Sequence, residues 1–406
     1  MKLRVSLLFC FLLLLPLFQV NSINITAQGS EAPSVVRMPS YVGIARNYDN
    51  RKCAVTISLD DFGSNNSAWQ NCLYMLTRKG LYHTIGIITN TADWNFAQYW
   101  VNQGYTEAGS HSTSHFDLLN PATSAGGRVN YEWQVNGSKQ AIISHLVLPK
   151  WWRNGQKQYV YAWIDPCGRT NGVVQQWLGI CHYLVERGTA AYPSPDPANW
   201  DSVNNVFEQT GITAEIGPQF GGTTSVPALI SIFNNSYNDG KVYHLMAHPA
   251  TANWSKGGYA DQFTDCISKR TDIWYVPLGL LGLYRLVSTR NVTHVARIEG
   301  KPFYTFKIRI DHEIHEQYGA SYPMTYVFKI PANWTSGHVY YSHTEQGPWK
   351  PLMSKKSGNS FNGIEAARFD FKKHEAYVSV AFRPISDSVY VRIVPSTVPR
   401  GILSES

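Results

Sequence analysis

The sequence predicts an α/β domain, a parallel sheet or barrel spanning residues 53–285, followed by an all-β, sandwich-like domain over 286–406. Three observations carry this. Strand-like and helix-like stretches alternate from Cys53 to about Arg285, as repeated βα units do. Polar, chemistry-bearing residues fall at the ends of four of those strands, where α/β folds place their sites. After about Leu286 the texture changes to short alternating strands separated by Gly, Pro, Asn and Ser.

Each element follows in order. "CAVTISLDD" reads as a strand in which Val55, Ile57 and Leu59 alternate with Thr56 and Ser58. "NSAWQNCLYMLTRKG" reads as a helix, with Trp69, Cys72, Leu73 and Leu76 on one stripe and Gly80 as its stop. "HTIGIITN" is a strand, "WNFAQYWVNQG" a short helix, and "YTEAGSHS" a strand running into a loop. "VNYEWQVNGSKQAIISHLV" is helical, "YVYAWIDP" a strand, "NGVVQQWLGI" a helix and "KVYHLMAHP" a further strand. In the second half, "FYTFKIRID", "AYVSVAFRP" and "SVYVRIVP" alternate with period two. Residues 23–52 form a poorly patterned lead-in.

The chain has 406 residues, enough for two domains. Its formal charge is +7, but no Lys/Arg-rich run accompanies it, so nothing points to a nucleic-acid partner. Residues 1–22 have a basic start (Lys2, Arg4), a short apolar run interrupted by Pro16 and a small residue at Ser22. That is the pattern of a signal peptide, and it implies a secreted, extracellular protein. The run is too short to span a bilayer comfortably, and no later segment is long and apolar enough to be a membrane helix. Sequons at Asn24, Asn65, Asn136, Asn234, Asn253, Asn291 and Asn333 suit a glycoprotein. Beyond the leader, Cys53, Cys72, Cys167, Cys181 and Cys266 remain. They allow at most two disulfides and leave one thiol over; a Cys167–Cys181 pair is one expectation.

The polar strand ends pose one question. Asp60 and Asp61 are adjacent anions, which repel each other and lose hydration unless something positive holds them. "GSHSTSH" spaces His111 and His115 four apart, a chelating arrangement on a helical turn. One Asp and two His make a typical catalytic zinc shell. The metal could then hold one carboxylate while the other stays free as a base. Capping by the Asp pair and ordinary packing of the histidines are the plainer alternatives. The Trp151–Trp152 pair could line a sugar groove, though core packing explains it as well.

"TISLDD", "EAGSHSTSH" and "HLMAHP" resemble the motifs of the NodB-type polysaccharide deacetylases, carbohydrate esterase family 4. The resemblance spans about residues 53–285 and includes the trailing "WSKGGYADQFTDCISKRTDIWYVPLG". It implies a distorted (β/α) barrel, a divalent metal (usually Zn2+) and hydrolysis of N-acetyl groups on a polysaccharide or oligosaccharide substrate. Position by position, Asp60 corresponds to the catalytic base, Asp61, His111 and His115 to the metal ligands, and His248 to the general acid. Cys167 corresponds to the residue whose backbone N–H serves the oxyanion. The sequence departs from the pattern at "WIDPCG", where Ile164 stands in place of an arginine that pairs with the catalytic aspartate. Arg169, just beyond Gly168, could supply that cation, and Asp165 adds a negative charge expected to raise the Asp60 pKa. An acidic residue supporting the catalytic histidine is visible only loosely in "SPDPANWD", with Asp196 and Asp201 both candidates. Two other readings stay open: a catalytically weak or inactive carbohydrate-binding protein on the same fold, and a non-haem iron oxygenase built on two His and one carboxylate.

Overall fold

The computed structural model describes residues 38–119, 130–189, 209–219, 221–299, 303–354 and 363–396. The expected leader and the candidates Asp196 and Asp201 lie outside the described residues. In chain order the first half contains β1 (Ser40–Ile44), β2 (Cys53–Phe62), α1 (Ser67–Arg78), β3 (His83–Ile87), α2 (Trp94–Asn102), β4 (Thr106–Ser110) and α3 (Ser138–His145). The hairpin β5 (Arg153–Asn154) and β6 (Lys157–Gln158) follows, then β7 (Ala162–Ile164), α4 (Gly172–Ile180), β8 (Val185–Arg187), β9 (Gln209–Thr210) and β10 (Ala214–Ile216). Next come α5 (Val226–Asn238), β11 (Val242–Ala247), α6 (Tyr259–Ile267), β12 (Ile273–Tyr275) and α7 (Leu278–Thr289).

The parallel strands form one sheet in the order β10-β11-β2-β3-β4-β7-β8-β9, with β12 also paired to β2. Strand β2 has a partner on both edges. One edge pairs with β11; the other pairs first with β12 at Cys53–Val55 and then with β3 from Ser58 onward. Every β2 residue except Asp61 is buried. The expected alternation is therefore replaced by burial on both faces, as in a strand covered on two sides. Thr56 and Ser58 face the interior of the curled sheet, where Ser58 Oγ meets His244 Nε2 at 3.0 Å. Among the described residues no ladder joins β9 to β10, so the sheet is a distorted, open (β/α) barrel.

The helices follow their local chemistry. Asn66 caps α1, its Oδ1 accepting from the Ala68 and Trp69 N–H groups, and Trp69, Cys72, Leu73 and Leu76 are buried beneath it. Ahead of α3 the chain forms a π-turn over Glu132–Gly137 rather than a continuous α-helix.

The second half carries β13 (Thr293–Arg297), β14 (Tyr304–Ile310), α8 (His312–Tyr318), β15 (Met324–Lys329), β16 (Gly337–Ser342), β17 (Lys350–Pro351), β18 (Met353–Ser354), β19 (Ala366–Asp370), β20 (Glu375–Val380) and β21 (Ser388–Pro395). These strands make two five-stranded, mostly antiparallel sheets, β13-β14-β21-β16-β17 and β1-β15-β20-β19-β18. Aromatic side chains pack from one sheet to the other, with Phe306 and Phe328 ring centroids 4.8 Å apart. Two features escape the sequence pattern. Helix α8 interrupts the β region and ends at Gly319, whose φ of 65° is the left-handed cap glycine favours. The lead-in supplies β1, which pairs antiparallel with β15.

The two halves share one core. The expected boundary at 285 falls inside α7, whose Tyr284 hydroxyl donates to the Ala45 carbonyl at 2.9 Å. Arg285 Nη2 donates to Asn47 Oδ1 at 2.9 Å, and the Asp49 N–H donates to Thr325 Oγ1 at 2.8 Å. Trp274 Nε1 on β12 donates to the Tyr322 hydroxyl at 3.0 Å.

Candidate active site

Strand β2 delivers the carboxylates. Its register against β3 shifts between Leu59 and Phe62, and Asp61 sits at φ 66°. A regular strand would send consecutive side chains to opposite faces. The bulge with a left-handed Asp61 breaks that alternation, so Asp60 and Asp61 line the same cavity of about 200 Å3. Aspartate tolerates this backbone conformation better than most residues.

The loop after β4 delivers the histidines. It does so with Ser112 at φ 66° and His115 at φ 57°, not with a helical turn. Ser112 Oγ accepts from the His115 N–H at 2.9 Å, which fixes the turn. His111 Nδ1 donates to the Ile164 carbonyl at 2.9 Å. Because a carbonyl only accepts, Nδ1 holds the proton of the neutral ring and Nε2 keeps its lone pair. His111 Nε2 and His115 Nε2 lie 3.3 and 3.2 Å from Asp61 Oδ1. The three donor atoms all fall within 4.8 Å of one another. Buried His111 Nε2 has no hydrogen-bond partner. Three lone pairs aimed at one point, one of them orphaned, fit a divalent cation. The N,N,O donor set suits zinc among others.

Gln134, in the π-turn, grips this loop. Its Oε1 accepts from the Thr113 and Ser114 N–H groups at 3.1 and 3.2 Å, and its Nε2 donates to Ser114 Oγ at 2.7 Å. Thr113 Oγ1 donates to the Trp133 carbonyl at 2.6 Å. The widened turn thus orients the segment between the two histidines, a frequent use of such turns.

Asp60 and His248 flank the triad with opposite polarity. Asp60 is 4% exposed, and burial raises its pKa, but the Arg187 guanidinium against Oδ1, together with His111 and His248, outweighs burial and holds it below the ordinary carboxylate range. His248 Nδ1 lies 3.2 Å from Glu215 Oε1. His248 Nε2 is 4.0 Å from Asp60 Oδ2 and 3.8 Å from Asp61 Oδ2. Burial pushes its pKa down, yet Glu215, Asp60 and Asp61 together outweigh burial and raise it. For Asp61, the His111 and His115 contacts outweigh burial and keep the carboxyl ionised.

Several expectations change here. Arg169 does not reach Asp60; it pairs with Asp117 at 2.6 Å. The cation comes from Arg187 on β8, a fully buried residue in register with Ile164 on β7. Ile164 packs its Cδ1 against the space over Gly86, close to His111. Asp165 does not raise the Asp60 pKa. It is fully buried and accepts from Trp163 Nε1 at 2.7 Å, and burial and the nearby Glu186 push its own pKa well above the usual range. The acidic partner of His248 is Glu215. Neither Arg187 nor Glu215 stands out from local spacing. The available signal is a charge embedded in a buried strand, Arg187 beside Glu186 in "YLVER" and Glu215 in "TAEI".

Cys167 lies in the turn Pro166–Gly168 at φ 57° and lines the cavity. Gly168 follows at φ 65°, and a Cβ there would fall within 1.7 Å of Thr189 Oγ1, so only glycine fits. Cys167 and Cys181 are both free thiols, as are Cys53, Cys72 and Cys266. The nine residues of α4, roughly 13 Å of helix, separate Cys167 from Cys181 and rule out that pairing. Trp152 is buried and donates from Nε1 to Glu107 at 2.8 Å; it belongs to the core, not to a groove. A second cavity of about 320 Å3 shares Asp60, Asp61, Gln219 and His248 and extends past Asn66, Trp69 and Thr251. No helix among the described residues is long and apolar enough to cross a membrane.

No family model matches the chain, and no curated protein matches it. Among solved structures it is similar to a family 4 carbohydrate esterase from Streptomyces lividans in complex with acetate. That likeness is at 16% identity over 52% of this chain and 84% of that one, with a TM-score of 0.32. It is also similar to the Xyl-CE4 domain of a multidomain xylanase from the hindgut metagenome of Trinervitermes trinervoides (16% identity, 59% and 94% covered, TM-score 0.38). A third is the catalytic domain of a peptidoglycan N-acetylglucosamine deacetylase from Eubacterium rectale (13% identity, 59% and 92% covered, TM-score 0.34). Likeness at this level carries no argument about activity.

Proposed function

We propose that this chain is a secreted, metal-dependent hydrolase that removes N-acetyl groups from an amino-sugar polysaccharide. One observation carries the reading. Asp60, its pKa lowered beside Arg187, and His248, its pKa raised by Glu215, Asp60 and Asp61, stand on either side of the Asp61–His111–His115 donor set in a single cavity. That is the polarity amide hydrolysis needs: a base for the attacking water and an acid for the departing amine.

Asp61, His111 and His115 would hold the ion. When bound, a divalent cation there would supply Lewis acidity, making a water more acidic and offsetting developing oxyanion charge. Asp60 Oδ2, the oxygen not facing Arg187, accepts the proton of the attacking water. His248 Nε2 donates its proton to the leaving nitrogen, so that amide and water become acetate and free amine. Glu215 at Nδ1 steadies the imidazolium before transfer. The Cys167 backbone, in the cavity wall, is the candidate oxyanion donor. The second, polar cavity beside Asn66 and Thr251 offers room for the sugar.

The inactive-binder alternative rested on the missing arginine at Ile164, and Arg187 against Asp60 removes that ground. The test is acetate release from chitin oligomers, peptidoglycan and acetylated xylan. Release from an N-acetylated polymer, abolished by metal chelation and restored by zinc, is the expected result. Acetate release from the xylan alone would make the enzyme an esterase, and no release from any of them would sink the proposal.

A further inference from the structure

The sequence carries +7 without any basic run, and the fold gathers part of that charge in one place. Where the β5–β6 segment meets the sandwich, a cavity of about 510 Å3 is lined by Lys150, Arg153, Tyr341, His343, Glu365 and Arg383, among others. Its volume is in the range of small-molecule sites. Two of the three cations, Lys150 and Arg153, come from one short segment, and Arg383 joins them from far along the chain. Among the described residues none of them has a carboxylate partner; Arg153 Nη2 donates only to the neutral Gln156 at 3.1 Å. Glu365 is already engaged, its Oε1 accepting from the Ala381 N–H at 3.1 Å. Two buried polar atoms in the wall, Arg153 Nε and His343 Nδ1, lack hydrogen-bond partners.

From this geometry we infer a second, non-catalytic site that binds an acidic saccharide, one bearing carboxylates or sulfates. The cations would engage the acidic groups, with Arg153 and Arg383 able to form forked hydrogen bonds. Half-buried Tyr341, edge-on to His343 at 5.7 Å between centroids, offers a flat face beside them for a sugar ring. Burial, with Arg383 and Lys350, holds the His343 pKa down to about 4, so the imidazole stays neutral and adds no charge of its own. The aromatic face argues for a sugar rather than a bare anion. None of these residues belongs to the catalytic cavity, so the site stands or falls independently of the deacetylase reading.

The test is calorimetric titration of the full chain at low salt with a galacturonate tetramer, a sulfated oligosaccharide of equal length, a neutral N-acetylglucosamine tetramer, inorganic sulfate and a short oligothymidylate. Binding of one or both acidic saccharides is expected, and which of them binds identifies the acidic group. The doubly substituted K150E/R383E chain should bind the acidic saccharide at least about tenfold more weakly, since both residues are exposed and their reversal leaves the core intact. Tyr341→Ala should also weaken saccharide binding. Thermal melts on each variant guard against misfolding, and R383Q serves if the double variant melts early. Failure of both acidic saccharides to bind overturns the inference. So does unchanged affinity in the charge variants, or equal affinity for the neutral tetramer, inorganic sulfate or oligothymidylate.

Discussion

Arg187 reaches the Asp60 carboxylate from the position on β8 that is in register with Ile164 on β7. The cation that the family pattern places at 164 is thus delivered from one strand further along the sheet. The pair is fully buried, so neither charge is tolerated without the other. Arg187→Met should destabilise the protein by roughly 3–5 kcal/mol, the cost of leaving one buried charge unpaired. In an Asp60→Asn background the same substitution should cost much less. Urea denaturation of the four proteins in this double-mutant cycle measures the coupling, and additive effects would show that the two charges do not stabilise each other.

Asp60 and His115 should fail differently. Asp60→Asn keeps shape while removing the base, so it should retain metal and lose about 10²-fold or more in kcat. His115→Ala should lose the metal itself. Elemental analysis beside acetate release separates the two, and equal metal loss in both would mean that Asp60 also chelates.

Gln134 touches no candidate ligand side chain but holds the loop between two of them. Gln134→Ala should weaken metal affinity by about tenfold or more, as loss of supporting hydrogen bonds around metal sites does. Activity should recover when excess zinc is added. Gln134→Glu, which keeps the oxygen that accepts from Thr113 and Ser114, should restore part of the affinity. Competition with a chelating dye reads this directly. Unchanged affinity in the alanine variant would make Gln134 a packing residue only.

His83 sets an acid limit on stability far from the site. It is fully buried, with Nδ1 on the Leu81 carbonyl and Nε2 on Thr106 Oγ1, and burial pushes its pKa down to about 4. The unfolded chain binds this proton near pH 6.5 and the folded chain does not. Stability from this group is therefore complete above about pH 6.5 and declines as pH falls toward 4, by roughly 3 kcal/mol in all. Denaturant midpoints across that window should fall more steeply for the parent chain than for His83→Gln. Parallel slopes would assign the acid sensitivity to other groups.

How much of this could be read from the sequence differed by residue. Asp60, Asp61, His111, His115 and His248 sit in short motifs at strand ends, where local spacing carries the signal. Arg187 and Glu215 are buried charges on three-residue strands. Only strand register and the curl of the sheet bring them to Asp60 and His248, and register is a non-local property. The βα alternation was legible because it is periodic. Strand β1 was not, because its five residues pair with a strand hundreds of positions away, and no local pattern encodes that partner.

That pairing governs when the molecule can be finished. Asp49, just past β1, bonds to Thr325, 276 residues later. A chain emerging from its amino end must hold the first strand unpaired while the whole barrel is made, and the strand docks only once β15 has been synthesised. Closing so long a loop is entropically unfavourable, and contacts of such separation slow folding. Until then the nascent barrel exposes the apolar surface that β1 and the sandwich later cover, so completion of the fold is an event that follows synthesis and is open in the interval to chaperones and to misassembly.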